Sequence, residues 1–168
     1  MVTKGSMTLF FSEKDQLSNW FMSEFEVKGV RFNCVEQFMT FCKAKLFHDE
    51  RTAQEIMAAP HPRQQKALGR RVSGYNDALW CDRRVQIVAH GCYAKFSQNP
   101  ELASVLLSTG STTLVEASPY DRIWGVGLAE SDPRILDPRN WRGSNLLGVA
   151  LTQVRDRLAT MAAPSDCR

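Results

Sequence analysis

A single domain, mostly helical with a few short strands, is the fold this sequence predicts, and three observations predict it. A chain of 168 residues is long enough for one unit to bury a core without metal or disulfide staples. Its composition, 43% hydrophobic and 23% charged, is that of an ordinary globular protein rather than a disordered or membrane-embedded one. Segments with helical periodicity also outnumber the short strand-like runs between them.

Thr8-Leu9-Phe10-Phe11 reads as a short strand, and 25–32 alternates apolar and polar residues about Lys28-Gly29, which predicts a hairpin. From Val35 to Phe47 the spacing predicts a helix, with Val35, Met39, Cys42 and Leu46 as a core stripe that Phe38 widens. Asn33 offers an N-cap, with Glu36 three residues later as a capping-box partner. Pro60 and Pro62 separate short helices over 52–58 and 63–71. A long helix over 80–98, with Cys81, Val85, Val88, Cys92 and Phe96 on one face, is the expected central packing helix. Another helix runs over 101–107 after Pro100 and stops at Gly110, and 113–118 is strand-like. The stretch 130–144 has neither period and reads as an ordered binding loop. Asn145 then caps a final helix over 146–161 that carries Leu147, Ala150, Leu151, Val154 and Leu158 on one side. The domain is expected over 8–161. Residues 1–7, where Gly5-Ser6-Met7 reads as an expression remnant, and 162–168 are expected to be flexible termini.

Composition excludes several functions. Cys34, Cys42, Cys81, Cys92 and Cys167 are an odd set without a CxxC pair, so neither a disulfide framework nor a zinc site is expected. His48, His61 and His90 are scattered, and no metal or cofactor is expected. With no apolar run long enough to span a bilayer and no apolar leader, the chain is expected to be soluble and cytoplasmic. A net charge of +3 is too small for the whole surface to bind nucleic acid, which leaves local arginine groups as phosphate candidates. Those are Arg70-Arg71, Arg83-Arg84 and Arg134, Arg139 and Arg142, the last group in the favourable setting of a loop.

Two places carry candidate chemistry. Glu36 and Lys43 lie seven residues apart on the predicted helix, so both side chains leave one face two turns apart, at the edge of the apolar stripe. Charges at such an edge lose water, and their pKa values move. Asp121-Arg122-Ile123-Trp124-Gly125-Val126-Gly127 places an acid, an indole and two glycines in a short span. That combination suits a ligand surface, and the pair of glycines lacks the third glycine and following helix of a dinucleotide fingerprint.

Leu17-Ser18-Asn19-Trp20, Val35-Glu36-Gln37-Phe38-Met39 leading to Lys43-Ala44, Ala67-Leu68-Gly69-Arg70, Trp80, Lys95-Phe96, Leu114-Val115-Glu116-Ala117-Ser118, Asp121-x-x-Trp124-Gly125-x-Gly127 and Asn140-Trp141-x-Gly143-x-Asn145-x-Leu147-Gly148 closely resemble, in order and spacing, the NADAR or YbiA-like family. The match runs from about Phe10 to Arg157. The resemblance implies an α+β, mostly helical, single compact YbiA-like domain with a small sheet of short strands, and an enzyme that hydrolyses the N-glycosidic bond between a ribose and a nitrogen base. One branch of the family removes ADP-ribose from modified guanine in DNA or RNA. Another cleaves ribosylamino-pyrimidine phosphates of riboflavin synthesis. Carried over position by position, the catalytic residues fall on Glu36, Lys43 and Asp121, and the substrate-binding ones on Asn19, Gly69, Arg70, Trp80, Trp124, Gly125 and Asn145. A module that only binds ADP-ribose or NAD is a further reading, against which the intact Glu36, Lys43 and Asp121 weigh.

Two routes for the chemistry stay open. A carboxylate, Asp121 or Glu36, can stabilise positive charge on the anomeric carbon and ring oxygen. Alternatively a neutral Lys43 attacks the ring-opened sugar and forms an imine that water hydrolyses. Lowering a lysine from about 10.4 to about 7.4 asks the site for about 4 kcal/mol, which desolvation supplies and a close Glu36 would oppose.

Overall fold

Residues 1–162 are described by the structure, a computed structural model, with the side chain of Ala162 excepted. Its first strands are β1 (Val2–Lys4) and β2 (Met7–Phe10), which pair antiparallel with Lys4 opposite Met7. The N-terminal residues set aside above therefore enter the fold as an edge strand. All four residues of β2 are buried because its other side pairs in parallel with β5 (Thr113–Glu116), Met7 against Thr113 and Phe10 against Glu116. A strand enclosed on both sides reads as a continuous apolar run, as Leu9-Phe10 and Leu114-Val115 do. The expected hairpin forms from β3 (Phe25–Val27) and β4 (Val30–Phe32), with Lys28 and Gly29 at φ of 51° and 79°, as a two-residue turn between twisted strands requires.

Helix α1 (Val35–Leu46) packs against α2 (Glu50–Ala58), α3 (Pro62–Gly69) and α4 (Asp77–Gln98). Enclosure by three helices explains why burial along α1 does not follow the stripe expected from its period. Val35, Phe38 and Met39 are buried as expected, but so are Glu36, Gln37 and Thr40, while Cys42 and Leu46 are only half-buried. Glu36 thus lies inside the protein rather than along an edge. The capping expectation is also corrected. Cys34 precedes the helix with no side-chain cap, and Gln37, not Glu36, accepts from the Asn33 N–H at 2.8 Å. Buried polar groups need partners, and Thr40 finds one by donating to the Glu36 carbonyl at 2.7 Å.

Helix α4 begins three residues earlier than expected because Asn76 caps it, accepting from Leu79 N–H at 2.9 Å. It packs on α1, on α5 (Pro100–Ser108) and on α6 (Leu146–Ala162), which gives it the expected central role, with Val88, Cys92 and Phe96 of the expected stripe buried but Val85 only half-buried and Cys81 exposed. The stretch 130–144 is ordered by two short 3-10 turns, Pro133–Leu136 and Pro138–Asn140. Its Ile135 and Trp141 pack with Met7, Leu9, Val115, Val126 and Leu128 in a second small core. Among the described residues no helix is long and apolar enough to cross a membrane, and Cys34, Cys42, Cys81 and Cys92 are free thiols. Ala162 closes α6, and the rest of the expected flexible tail, with Cys167, lies outside the described residues.

Candidate active site

Three segments converge in front of the buried face of α1. The first is the loop between β2 and β3, which is held by a buried lysine: Lys95 of α4 donates to the carbonyls of Gln16 at 2.7 Å and Ser18 at 3.0 Å. That anchor brings Asn19 and Trp20 onto α1, where the Asn19 carbonyl accepts from Glu36 N–H at 3.0 Å. The second is α3, whose Gly69 lets two helices meet; a Cβ there would come within 2.5 Å of Thr40 Cγ2. The close approach places the Gly69 carbonyl 2.8 Å from Lys43 Nζ, which donates to it. The third runs from the end of β5 to Trp124. It turns at Asp121, whose Oδ1 accepts from the N–H groups of Ile123 at 2.9 Å and Trp124 at 2.8 Å.

Between them lies a cleft with two lobes. The first, of about 490 Å³, is lined by Glu36, Lys43, Tyr75, Trp80 and Trp124, with Asp77, Arg84 and Arg122 at its sides. The second, of about 480 Å³, is lined by Phe11, Lys14, Trp20, Arg63, Glu116 and Ser118. Lys66, Arg70, Tyr120 and Asp121 belong to both and form the neck where the lobes meet.

Charge is distributed unevenly across this neck. Burial pushes the Glu36 carboxyl up to about 7, against the opposing charge of Lys66 and a hydrogen bond from Trp20. Trp20 Nε1 donates to Glu36 Oε2 at 3.2 Å, while Oε1 is enclosed and has no hydrogen-bond partner. Lys43 has no carboxylate within ion-pair distance among the described residues. Its amine lies 4.4 Å from the centre of the Tyr75 ring and 5.5 Å from that of Trp80. Loss of water lowers its pKa, and Asp77 opposes that shift. Glu36 and Lys43 form no ion pair, and the one that crosses the neck joins other groups. Lys66 Nζ sits 3.3 Å from Asp121 Oδ2. Burial would raise Asp121, but the N–H groups of Trp124 and Ile123, and then Lys66, outweigh it and keep that carboxyl below its ordinary value. The site thus presents an acid whose titration is raised into the neutral range, an amine that gives up its proton more readily than a solvated lysine and a carboxylate held below its ordinary value.

Of the positions carried over from the resemblance, Glu36, Lys43, Asp121, Gly69, Arg70, Trp80 and Trp124 line the first lobe together. Asn19, Gly125 and Asn145 lie behind it and not in the cleft lining. Asn19 is buried, with its side-chain oxygen 3.8 Å from Cys92 Sγ. Gly125 has no room for a side chain, because a Cβ would sit 2.9 Å from both the Glu116 carbonyl and Ser118 Cβ. Asn145 spends its side chain on β5, accepting from Glu116 N–H at 3.1 Å and donating to the Leu114 carbonyl at 2.8 Å. The arginines of the 130–144 loop are not in the cleft lining either. Arg134 and Arg139 pair with Asp132 and Asp137, each at 2.7 Å.

The sequence reading missed Lys66, Arg63, Glu116, Tyr75 and Trp20 as cleft residues. Two signals for them were present. Arg63 and Lys66 on α3 and Arg70 at its C-cap recur at i, i+3 and i+7, which gathers basic groups on one side of the helix. Glu116 ends β5 directly after the buried Leu114-Val115 pair, where an acid without a partner is costly.

Known proteins resemble this chain over most of its length. A family model described as the NADAR domain matches residues 9–159. Protein irg-1 of Caenorhabditis elegans is 39% identical over 168 residues, covering 90% of this chain and 79% of that protein. N-glycosidase R617 of Acanthamoeba polyphaga mimivirus is 40% identical over 144 residues, covering 83% of this chain and 85% of that one. The NMR structure of the E. coli protein YbiA superposes with a TM-score of 0.76 at 28% identity, over 95% of this chain and 89% of that chain.

Proposed function

This chain belongs to the NADAR family, and from that premise we propose that it is an N-glycosidase, a hydrolase of N-glycosyl compounds, that removes ADP-ribose from ADP-ribosylated guanine in nucleic acid. The observation that carries the reading is that one lobe is lined by a buried Glu36 raised to about 7, a Lys43 outside ion-pair distance of any carboxylate among the described residues, and Asp121.

The chemistry follows from those three groups. With the sugar ring open, the departing base is held to the anomeric carbon as an iminium. The unprotonated Lys43 amine adds to that carbon, and the base leaves with a proton that Glu36 supplies. Water then adds to the Lys43 imine, the carbon–nitrogen bond breaks, and free sugar and amine are restored. The fixed Asp121 carboxylate faces the positive character that develops at the sugar. The lone carbonyl contact of Lys43 suits this route better than direct hydrolysis, since an ion pair would have kept the amine protonated. Borohydride should trap a covalent sugar adduct on the wild-type protein and none on Lys43→Ala; turnover without any adduct would leave the direct oxocarbenium route.

The two-lobed cleft supports a substrate with a reacting ribosyl centre and a bulky phosphorylated extension, since Arg70, Lys66, Arg63 and Lys14 line its second half. A ribosylamino-pyrimidine phosphate is the competing substrate and would leave much of that half unfilled. The test is turnover of both side by side. Release of ADP-ribose from an ADP-ribosylated guanine oligonucleotide should exceed pyrimidine-phosphate cleavage by about tenfold or more in kcat/KM. The reverse ratio would reassign the substrate, and tight ADP-ribose binding without turnover of either would make the protein a binding module.

A further inference from the structure

Glu13, Asp77 and Glu116 line the cleft without a part in the family resemblance or in the reaction above, and of these three Glu116 is the one with an enclosed carboxyl oxygen that has no hydrogen-bond partner among the described residues. It sits at the end of β5, lines only the second lobe, and has Oε2 enclosed with no hydrogen-bond partner. Its backbone is held at three points. The N–H donates to Asn145 Oδ1 at 3.1 Å, and the carbonyl accepts from Ser118 N–H at 2.9 Å and Val126 N–H at 3.0 Å. Lys66, whose charge acts on it, is committed to Asp121. An unbonded buried carboxyl costs the fold stability, so packing gives no reason for an acid here. A rigidly placed polar group that opens on a cavity is instead what ligand recognition requires.

We propose that Glu116 contacts substrate in the second lobe, donating a hydrogen bond from its neutral carboxyl to the phosphate-bearing half of the ADP-ribosyl group, which Lys14, Arg63, Lys66 and Arg70 draw there. The inference rests on the ADP-ribosyl reading above. Burial, with the like charges of Asp121 and Glu36, raises the Glu116 pKa to about 8 against the pull of Lys66, so at neutral pH the group has an O–H to give. Phosphate oxygens accept such a bond, whereas an ionised carboxylate in the same place would repel them. Glu116 is thus a reader of the distal half, separate from the groups that act at the anomeric carbon.

The experiment titrates ADP-ribose into the full chain at pH 7 for the wild type, Glu116→Gln, Glu116→Ala and Arg63→Ala, and measures kcat and KM on the ADP-ribosylated oligonucleotide. Glu116→Ala should weaken ADP-ribose about tenfold and raise KM by the same factor with kcat within about threefold, as expected for loss of one hydrogen bond made equally in ground and transition states. Glu116→Gln keeps an N–H donor and should stay within about threefold of the wild type. Arg63→Ala, at an exposed position of α3, should weaken binding without touching the fold and so reports on the lobe even where Glu116→Ala does not fold. Wild-type affinity in Glu116→Ala or in Arg63→Ala, or a Glu116→Gln protein as weak as Glu116→Ala, would overturn the proposal while leaving the activity intact. A wild type that binds no ADP-ribose at millimolar concentration overturns the ADP-ribosyl reading itself.

Discussion

The two lobes of the cleft solve opposite problems. In the first, an amine lies against Tyr75 and Trp80, outside ion-pair distance of any carboxylate among the described residues; in the second, a carboxyl at the end of a strand keeps one enclosed oxygen without a hydrogen-bond partner although Lys14, Arg63 and Arg70 line the same lobe. Within ion-pair distance, Lys43 and either glutamate would hold each other charged, and neither pKa would move as burial moves it here. The neck prevents this by giving Lys66 to Asp121. With that ion pair in the neck, Lys43 keeps a lowered pKa in the first lobe, and burial raises the carboxyls of Glu36 in the first lobe and Glu116 in the second.

The hardest way to break this contrast is to remove the amine. Lys43→Met should lower kcat by about a thousandfold or more while the protein still melts cooperatively, because the nucleophile itself is lost. A variant within tenfold of wild type would rule out covalent chemistry at that position. Next in size, Glu36→Gln should cost about 10² to 10³ in kcat, the range expected for a proton donor. The same substitution has a consequence for stability. Because burial raises the Glu36 pKa from 4.5 to about 7, the folded protein holds a proton that the unfolded chain has lost between those values. Stability therefore falls as pH rises through that window, by about 3 kcal/mol for this group. Chemical denaturation at pH 5 and pH 8 should show that decline in the wild type and a smaller one in Glu36→Gln; equal slopes would mean that Glu36 ionises normally.

Substituting the neck is a subtler change. Lys66→Met removes the charge that holds Glu36 down and fixes Asp121, so Glu36 should keep its proton to higher pH. The alkaline limb of the kcat/KM profile should move up, with about a tenfold loss in rate and partial recovery in Lys66→Arg. An unmoved limb would show that Lys66 does not act on Glu36. The smallest effect is expected where the sequence had pointed to phosphate ligands. Arg134→Ala and Arg139→Ala break only exposed local pairs with Asp132 and Asp137, and kcat/KM should stay within about twofold. A tenfold loss from either would return that loop to the site.

Much of this molecule was legible before folding. The apolar periods of α1, α4 and α6, the Lys28-Gly29 hairpin turn and the proline breaks around α3 follow from local geometry, which depends on neighbours a few residues away. The seven-residue spacing of Glu36 and Lys43 likewise places both on one face by helix geometry alone, and both line the first lobe. What the chain could not announce was enclosure. The stripe on α1 suggested that Glu36 lay along an edge, and packing by α2, α3 and α4 buries it. Asn145 and Gly125 looked like ligand contacts and instead hold β5 and the turn after it in place. Which cation faces which acid depends on distances between segments far apart in sequence: Lys66 meets Asp121 across 55 positions, while Lys43 meets only a carbonyl and two rings. Residue types and their local spacing follow from the order of amino acids. The charge states that turn them into a site follow from desolvation and from the partners that distant segments supply, and those exist only once the chain has folded.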